Sequence, residues 1–475
     1  MMPVLLWTDA LVFLLLALGL LLGFHTTRHA HLRAPWLRVL RSRVGVAMLV
    51  VLSAYGLVGL LDTVHVRLRT AASDQPESVQ DAGSHYSPEI LSLLDLALSG
   101  LRERQEKTYS APFAIHLFVR EVIRQPDGTV IREYPRLLHG GSHLDDPTQR
   151  GADIAWRTIL GVLHGLLVWG LLTAVLLALL ARRRRVTMAV VWSDLRVRSP
   201  GSIPWLSALM TLGLLLMLVF IAAELAATYH ILGTDKVGED VFFQSLKSIR
   251  TGLLIGTLTT LVMLPAALLL GIAAGYFGGW VDDVIQYLYT TLNSIPGVLL
   301  IAAAILMLQV YLSNHAEAFP SLVERADLRL LFLCLILGVT SWTGLCRLLR
   351  GETLKLREAG YVQAATALGV GHVTIIVRHL LPNVMHLVLI TLILDFSGLV
   401  LAEAVLSYVN IGVDPTMNSW GNMINSARLE LAREPVVWWS LTAAFSFMFV
   451  LVLAANLFAD VVRDAFDPRL RMDGA

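Results

Sequence analysis

The chain is poor in cysteine, in charge and in nucleotide-binding signatures. Its 475 residues contain two cysteines, Cys334 and Cys346. Both lie in or beside one apolar segment. They supply neither a disulfide framework nor a CxxC metal pattern, and they read as small buried hydrophobes. Only 15% of the residues are charged, where a soluble domain carries about a quarter. The net charge of +1 leaves no basic footprint for nucleic acid. No G-x-x-x-x-G-K-[ST] phosphate loop occurs, so the chain holds no nucleotide through that motif.

What the chain has in excess is apolar sequence. Hydrophobic residues make up 56% of it and its mean hydropathy is +0.67. They fall in blocks long enough to cross a hydrocarbon core, which takes about 20 residues of helix. Nine blocks stand out, near 5–24, 44–61, 156–181, 205–227, 251–275, 284–310, 329–346, 384–408 and 436–460. Backbone groups in lipid must be satisfied within the segment, so each block predicts a helix and the fold class is an all-α polytopic membrane protein.

Orientation follows from the basic residues near the block ends. Arg28, Arg33, Arg38, Arg41 and Arg43 lie between the first two blocks, and Arg182 to Arg185 with Arg196 and Arg198 between the third and fourth. Arg347, Arg350, Lys355, Arg357 and Arg378 lie between the seventh and eighth, and Arg463, Arg469 and Arg471 follow the last. Alternating spans put all of these on one side. The expectation is an outside N-terminus and a cytoplasmic C-terminus. The Arg182–Arg185 run reads as a topology anchor. The first block has its arginines after the apolar run, which suits an N-out anchor better than a secretory signal.

Four regions are expected: membrane helices over 1–61, an external insert over 62–155, a third extra helix with a basic linker over 156–200, and a membrane core over 201–475. In the insert, 87–108 has helical apolar spacing with Pro88 near its start. Residues 114–124 and 129–138 are β-branched and partly alternating, and flank the turn sequence Gln125-Pro126-Asp127-Gly128. A small α+β insert with one hairpin is predicted. His85, His116, His139 and His143 are scattered through it and read as surface histidines, not a metal site.

The most informative stretch is 361–383, YVQAATALGVGHVTIIVRHLLPN, an amphipathic break between long apolar blocks. Residues 358–368 are rich in helix formers. Ala364 and Ala365 offer a small, smooth surface, Gly369 and Gly371 break the helix, and Leu381-Pro382 returns the chain to the membrane. Its Ala-Ala-x-x-x-Gly core, followed twelve residues later by Leu-Pro, resembles the EAA loop of ABC-importer permeases.

Other stretches agree in order and spacing. Leu232-Gly233-Thr234-Asp235 with Gly238 and Asp240 resembles an LGTD-x-x-G-x-D stretch. Residues 274–280 (AGYFGGW) resemble an AGYFGG turn, Trp420-Gly421-Asn422-Met423 resembles a SWGNM element, and 463–469 (RDAFDPR) resembles RDALDPR. Together these resemble the second permease of the dipeptide/oligopeptide/nickel ABC-importer family, over a little more than half the chain.

The resemblance implies a type I importer permease core of six helices, preceded here by three extra N-terminal helices. It implies that loop 347–383, through Arg357, Glu358, Gln363, Ala364, Ala365, Gly369, Leu381 and Pro382, couples the chain to a separate ATPase. The expected partners are a homologous second permease, two ATPase subunits, an external solute-binding protein and the lipid bilayer of a bacterial inner membrane. No cofactor is expected on this chain, since ATP with Mg is used by the ATPase. Gly233, Thr234, Asp235, Gly238, Asp240, Trp420, Gly421 and Asn422 form the external family motif, expected near where solute is delivered. Two positions depart from the family pattern: Gln363 replaces an acidic residue and Glu239 an arginine. Asp395 and Glu403, charged residues in an apolar block, are candidates for a translocation pathway. Alternatively, the extra helices, the insert and Gln363 suit a permease-derived membrane sensor or scaffold. A self-contained channel or carrier would not need the loop.

Overall fold

The computed structural model describes residues 2–69, 86–124, 130–196, 203–315, 317, 319 and 321–466. In chain order these form β1 (Met2–Val4), α1 (Trp7–Arg28), α2 (Ala30–Arg41), α3 (Arg43–Thr63), β2 (His65–Arg69) and β3 (Tyr86–Ser92). Then come α4 (Leu93–Ala97), α5 (Ser99–Arg102), β4 (Glu121–Arg124), β5 (Val130–Glu133), α6 (Arg150–Arg184), α7 (Met188–Arg196) and α8 (Trp205–Ala226). The remainder is α9 (Val241–Phe277), α10 (Gly279–Ser294), α11 (Gly297–Asn314), α12 (Leu322–Arg357), α13 (Gly360–Ala367), α14 (His372–Ile375), α15 (Leu381–Tyr408), α16 (Trp420–Glu430) and α17 (Trp439–Phe466).

Among the described residues nine helices are long and apolar enough to span a membrane: α1, α3, α6, α8, α9, α11, α12, α15 and α17. The last six correspond to the expected core and the first three to the extra helices. One predicted block divides. The apolar run 284–310 is broken at Ile295-Pro296, between α10 and α11. Ile295 is extended (φ −87°, ψ 127°), because the ring of the following proline excludes it from the helical region. The short helices α2 and α7 fall in polar stretches between apolar blocks. The helix α9 runs unbroken through Pro265.

Among the described residues, one compact unit comprises those within 2–4, 36–250 and 418–458. It holds the insert, whose strands β2 and β3 join the N-terminal β1 in an antiparallel sheet of order β1-β2-β3 and whose β4 and β5 form a separate hairpin. The helix expected over 87–108 is corrected. Its first residues are drawn into β3, where Val66 opposes Leu91 and Arg67 opposes Ile90. Helix begins only at Leu93, where Ser92 and Asp95 form a reciprocal capping box. Tertiary strand pairing thus overrides the local helical spacing. The hairpin occurs as expected, with Val122 opposite Arg132 and Ile123 opposite Ile131; its predicted turn, Gln125 to Gly128, lies outside the described residues.

The membrane part of this unit is built on α6 and α8. Gly161 and Gly165, four residues apart on α6, lie against the α8 backbone. A Cβ at Gly161 would sit 2.6 Å from Ile221 Cα, and one at Gly165 2.8 Å from Met217 Cα. Small residues at this spacing let two helices approach closely where lipid offers no hydrophobic drive. From the other side, Gly213 of α8 makes room for the Trp169 indole, whose Nε1–H donates to the Leu209 carbonyl at 2.7 Å. His164 Nδ1 and Glu224 Oε1 are 2.9 Å apart across the same helix pair.

The second unit comprises, among the described residues, those within 5–35, 251–417 and 459–466. Its largest core gathers Ala267, Ala274, Leu345, Leu349, Val362, Ile375, Leu380 and Val384, so the polar-looking loop and the helices around it share one hydrophobic cluster. Cys334 and Cys346 are both free and buried, as small hydrophobes. The N-terminal end of α1 is fixed by polar contacts: the Thr8 amide donates to Asp327 Oδ2 at 3.1 Å, and the Thr8 hydroxyl donates to Asp327 Oδ1.

Gly165→Val is expected to force α6 off α8 and to cost about 1–3 kcal/mol, the usual penalty of overpacking. Thermal unfolding in detergent measures it. Gly170→Val is the control, because nothing lies within 4 Å of its added Cβ. Equal stability of the two variants would contradict this packing.

Candidate functional site

Two clusters contain most of the residues singled out in the sequence, one in each unit. The first is the loop that follows α12. Helix α13 ends in a Schellman motif. The Val370 amide donates to the Ala365 carbonyl at 3.1 Å and the Gly369 amide to the Thr366 carbonyl at 3.0 Å. Gly369 makes this possible with φ +76°, a conformation that L-residues adopt only at a cost. After α14 comes a five-residue π-helical turn, Ile376–Leu380, and Pro382 sits in the first turn of α15. Leu381 is half-buried and Pro382 exposed.

The loop has a buried side and an exposed side. Val362, Ala365, Ile375 and Leu380 point into the core. Tyr361, Leu368, Val373 and Val377 are exposed, Leu368 to 83%, as are Gln363 and Ala364. The expectation that Ala364 and Ala365 together form a surface is therefore corrected: consecutive helical positions lie about 100° apart, and only Ala364 faces out. Gln363 Nε2 donates to Glu358 Oε2 at 3.3 Å. The neutral amide thus makes an intrachain bond where a carboxylate would meet another carboxylate.

The base of the loop is polar and paired. Arg350 grips Asp282 with two bonds, at 2.5 and 2.6 Å, and holds that carboxyl below its ordinary range. Arg357 Nη1 donates to the Tyr276 carbonyl at 3.4 Å, which suits a cation at the C-terminal end of α9. The Tyr276 hydroxyl is 2.9 Å from His372 Nδ1, and the His372 and Phe277 rings lie edge to face. Of the two pathway candidates, Asp395 is half-buried. Glu403 is buried and accepts a bond from the Ser407 hydroxyl at 2.7 Å.

The second cluster surrounds Gly233–Asp240. Thr234 Oγ1 donates to the Thr108 carbonyl at 2.9 Å, and the Ser110 amide donates back to Thr234 Oγ1 at 2.7 Å. Gly238 has φ +80°, and a Cβ there would come 1.8 Å from the Glu106 carbonyl oxygen. Asp235 accepts from the amides of Val237 and Glu239, and Gln244 Nε2 bridges Asp235 and Glu239 at 2.9 Å each. Trp439 Nε1 donates to the Thr234 carbonyl at 2.9 Å, and Trp420 Nε1 to the Ser245 carbonyl at 3.1 Å. Ser419 caps α16 through the Asn422 amide. Gly233, Thr234, Gly238, Asp240, Trp420 and Gly421 are buried; Asp235 and Asn422 are half-buried. Insert residues 106–110 thus lie along the motif, which leaves Lys236 and Val237 as its exposed tip.

The centre of this cluster was not legible in advance. Asp240 Oδ1 accepts from the Phe242 and Phe243 amides and caps α9. Its other oxygen lies 2.7 Å from His230 Nδ1, and His230 Nε2 lies 3.4 Å from Glu106 Oε1. Glu106 also accepts from the amides of Leu138, His139 and Gly140 at 2.8, 2.8 and 3.0 Å. All three side chains are buried. Burial disfavours charge on His230, but the bonds to Asp240 and Glu106 outweigh it and hold the imidazole up at about 9. Burial likewise opposes the Glu106 carboxylate, but His230 and the three amides hold it down at about 2. A second clasp lies nearby: Lys247 Nζ is 2.7 Å from Asp95 Oδ1 and 3.1 Å from Asp62 Oδ1. The only sequence signal for His230 is its place two residues before Leu232; Glu106 has none.

The sequence profile of the family described as binding-protein-dependent transport system inner membrane component matches residues 267–472. A glutathione transport system permease of Pectobacterium atrosepticum is 31% identical over 244 residues, 51% of this chain and 73% of that protein. An oligopeptide transport system permease of Mycobacterium tuberculosis is 31% identical over 51% of this chain and 77% of its own length. The chain belongs to this family of ABC-importer permeases. A dipeptide transport system permease of Lactococcus lactis is also similar, at 30% identity over 51% of this chain and 65% of its own. Membership makes the chain a transmembrane permease subunit of the inner membrane, a non-enzymatic part of a transporter.

The insert's hold on the permease motif has a defined pH window. His230 stabilises it fully below its ordinary value of 6.5, and this contribution is lost as pH rises through about 9. Glu106 contributes above 4.5, and its contribution is lost as pH falls through about 2. Amide exchange of residues 106–110, corrected for intrinsic rate, should be slow near pH 6 and accelerate towards pH 10. His230→Ala, which leaves two buried carboxylates facing each other, should cost about 3–5 kcal/mol. Unchanged protection in that variant would refute the clasp.

Proposed function

We propose that the chain is the transmembrane permease subunit of an ATP-driven importer for peptides or similar small solutes, coupled through loop 347–383 to a separate ATPase. The observation that carries this reading is the build of the loop. An exposed apolar rim of Tyr361, Leu368, Val373 and Val377 stands on a buried base whose position is fixed by Arg350–Asp282, Tyr276–His372 and the turn at Gly369. A rigid platform with exposed apolar side chains suits a partner that pushes on it. An amphipathic helix resting on lipid needs no such bracing.

Two ATPase subunits use ATP with Mg, a second homologous permease completes the pathway, and a solute-binding protein delivers the substrate. The substrates in the relatives' names, glutathione, oligopeptides and dipeptides, support a peptide-like cargo. The loop and the C-terminus face the cytoplasm, while the insert and the N-terminus face outward. Pairing of Met2 with Arg67 and of Val4 with His65 supports a common side for the N-terminus and the insert. On this reading Asp395 and Glu403 remain the candidates for polar contact with solute.

Ala364→Arg tests the coupling role, because its side chain enters the docking face and not the core. It should weaken ATPase binding by roughly tenfold or more and reduce ATP-driven uptake in vesicles, with thermal stability unchanged. Ala365→Arg should lower stability itself. Full uptake by Ala364→Arg would remove the docking role and favour a sensor or scaffold that has lost transport.

A further inference from the structure

One carboxylate stands in the middle of a membrane span without a partner. Asp395 lies about 20 Å from either end of α15, at 1.5 Å per residue. It makes no hydrogen bond and no ion pair among the described residues. Glu403, two turns further on, is by contrast buried and bonded to Ser407. The rotation of α15 is fixed by the residue after Asp395. A Cβ on Gly256 of α9 would lie 2.4 Å from the Phe396 ring, so that ring fills the gap the glycine leaves. Asp395 is about 100° round the helix from this contact. On its own side stand Thr391, Gly398 and Ala402, at i−4, i+3 and i+7. Thr391 and Ala402 are half-buried and Gly398 is exposed; a Cβ on Gly398 would meet nothing within 4 Å. The exposed leucines of α15, Leu394 and Leu401, lie about 100–120° away from Asp395. The helix thus separates an apolar stripe from a mid-membrane face of small and hydroxyl-bearing residues, open in front and marked by one carboxylate.

A charge at this depth has to face protein or water, because hydrocarbon does not solvate it. Its counter-charge does not come from the core spans. Apart from Arg329 at one edge, the six apolar blocks from 205 onward contain no lysine or arginine. A second permease built on the same plan offers none at mid-depth either. The cation that remains is one that passes through. We propose that Asp395 lines the translocation pathway and favours solutes that carry a cationic group, the ammonium of a peptide N-terminus or of a lysine-like side chain. This role rests on the importer reading and gives that reading a charge preference. A carboxylate in a passage walled by low-dielectric helices focuses its field into the lumen and concentrates cations there.

The test uses the complete transporter in nanodiscs with Gly398→Cys as reporter, a position with room for the side chain. Cys334 and Cys346 are buried and leave little background. Two water-soluble methanethiosulfonates of similar size are compared, one ending in trimethylammonium and one in sulfonate. Residues three apart on a helix are about 5–6 Å apart, and in water a unit charge at that range changes each rate roughly threefold, in opposite directions. Adding Asp395→Asn should therefore lower the ratio of cationic to anionic labelling roughly tenfold, and Asp395→Glu should keep it. An unchanged ratio in Asp395→Asn overturns the cation preference. Labelling by membrane-permeant N-ethylmaleimide alone overturns the pathway position. Loss of the second permease from the purified Asp395→Asn complex overturns it in favour of a pair between subunits. Uptake by cells carrying the complete transporter gives a separate readout: Asp395→Asn should lower uptake of trilysine relative to trialanine roughly threefold or more, and an unchanged ratio counts against the role. If wild-type cells take up neither peptide, the peptide-importer reading falls, while the labelling ratio still decides whether Asp395 faces an aqueous path for cations.

Discussion

Asp240 uses its two carboxylate oxygens for different purposes, and the attachment of the insert follows from that division. One oxygen satisfies amides at the start of α9, which would otherwise be orphaned. The other fixes His230, and His230 in turn fixes Glu106. Glu106 then gathers three successive amides of the 138–140 turn. Two buried carboxylates and one imidazole would be ruinous without partners. Here an imidazolium sits between the carboxylates, and backbone amides take up the remaining lone pairs. The glycines of the motif serve the same arrangement: only a residue without Cβ admits the 106–110 backbone as close as it comes at Gly238.

The same economy explains how a chain with so few charges uses them. Lys247 is divided between Asp62 and Asp95, and Arg350 is committed to Asp282. These pairs tie segments distant in sequence, and Asp95 combines its ion pair with the capping of α4. Long apolar helices supply area but little register. The glycine contacts of α6 with α8 and the polar contacts at helix ends set which helix faces which.

Much of this was legible in the sequence, and the gaps have physical causes. Nine spans follow from apolar length alone, since a membrane helix must satisfy its own backbone. The turn at Gly369 was legible because a C-terminal glycine after a run of helix formers has one common use. The break at Ile295-Pro296 was hidden inside a continuous apolar run, where composition outvoted the restraint that proline places on its predecessor. The strand at Tyr86–Ser92 was missed because its register depends on β2, outside the window in which helical spacing is judged. Ala365 was misplaced because a paired-alanine motif says nothing of which alanine faces in. His230 and Glu106 are separated by more than a hundred residues, and no local pattern announces that two such groups will meet.

Family motifs are commonly read as places of recognition, and this chain separates motif from surface. Thr234, Asp240 and Trp420 are spent on holding backbone, capping helices and anchoring the insert. A residue 0–1% exposed, as these are, has no face left for a partner. What the motif transmits is therefore shape: it fixes the start of α9 and seats the insert upon it. Once the insert is so seated, the side chains that meet the surroundings are the insert's own, and they are free to differ from the family without disturbing the fold beneath. The loop at 361–383 follows the opposite arrangement. There the family-like residues form both layers, a buried base of Val362, Ala365 and Leu380 and an exposed rim beginning at Tyr361 and Ala364. A change in the base alters the rim, which is the constraint expected of a surface that must keep one shape for one partner.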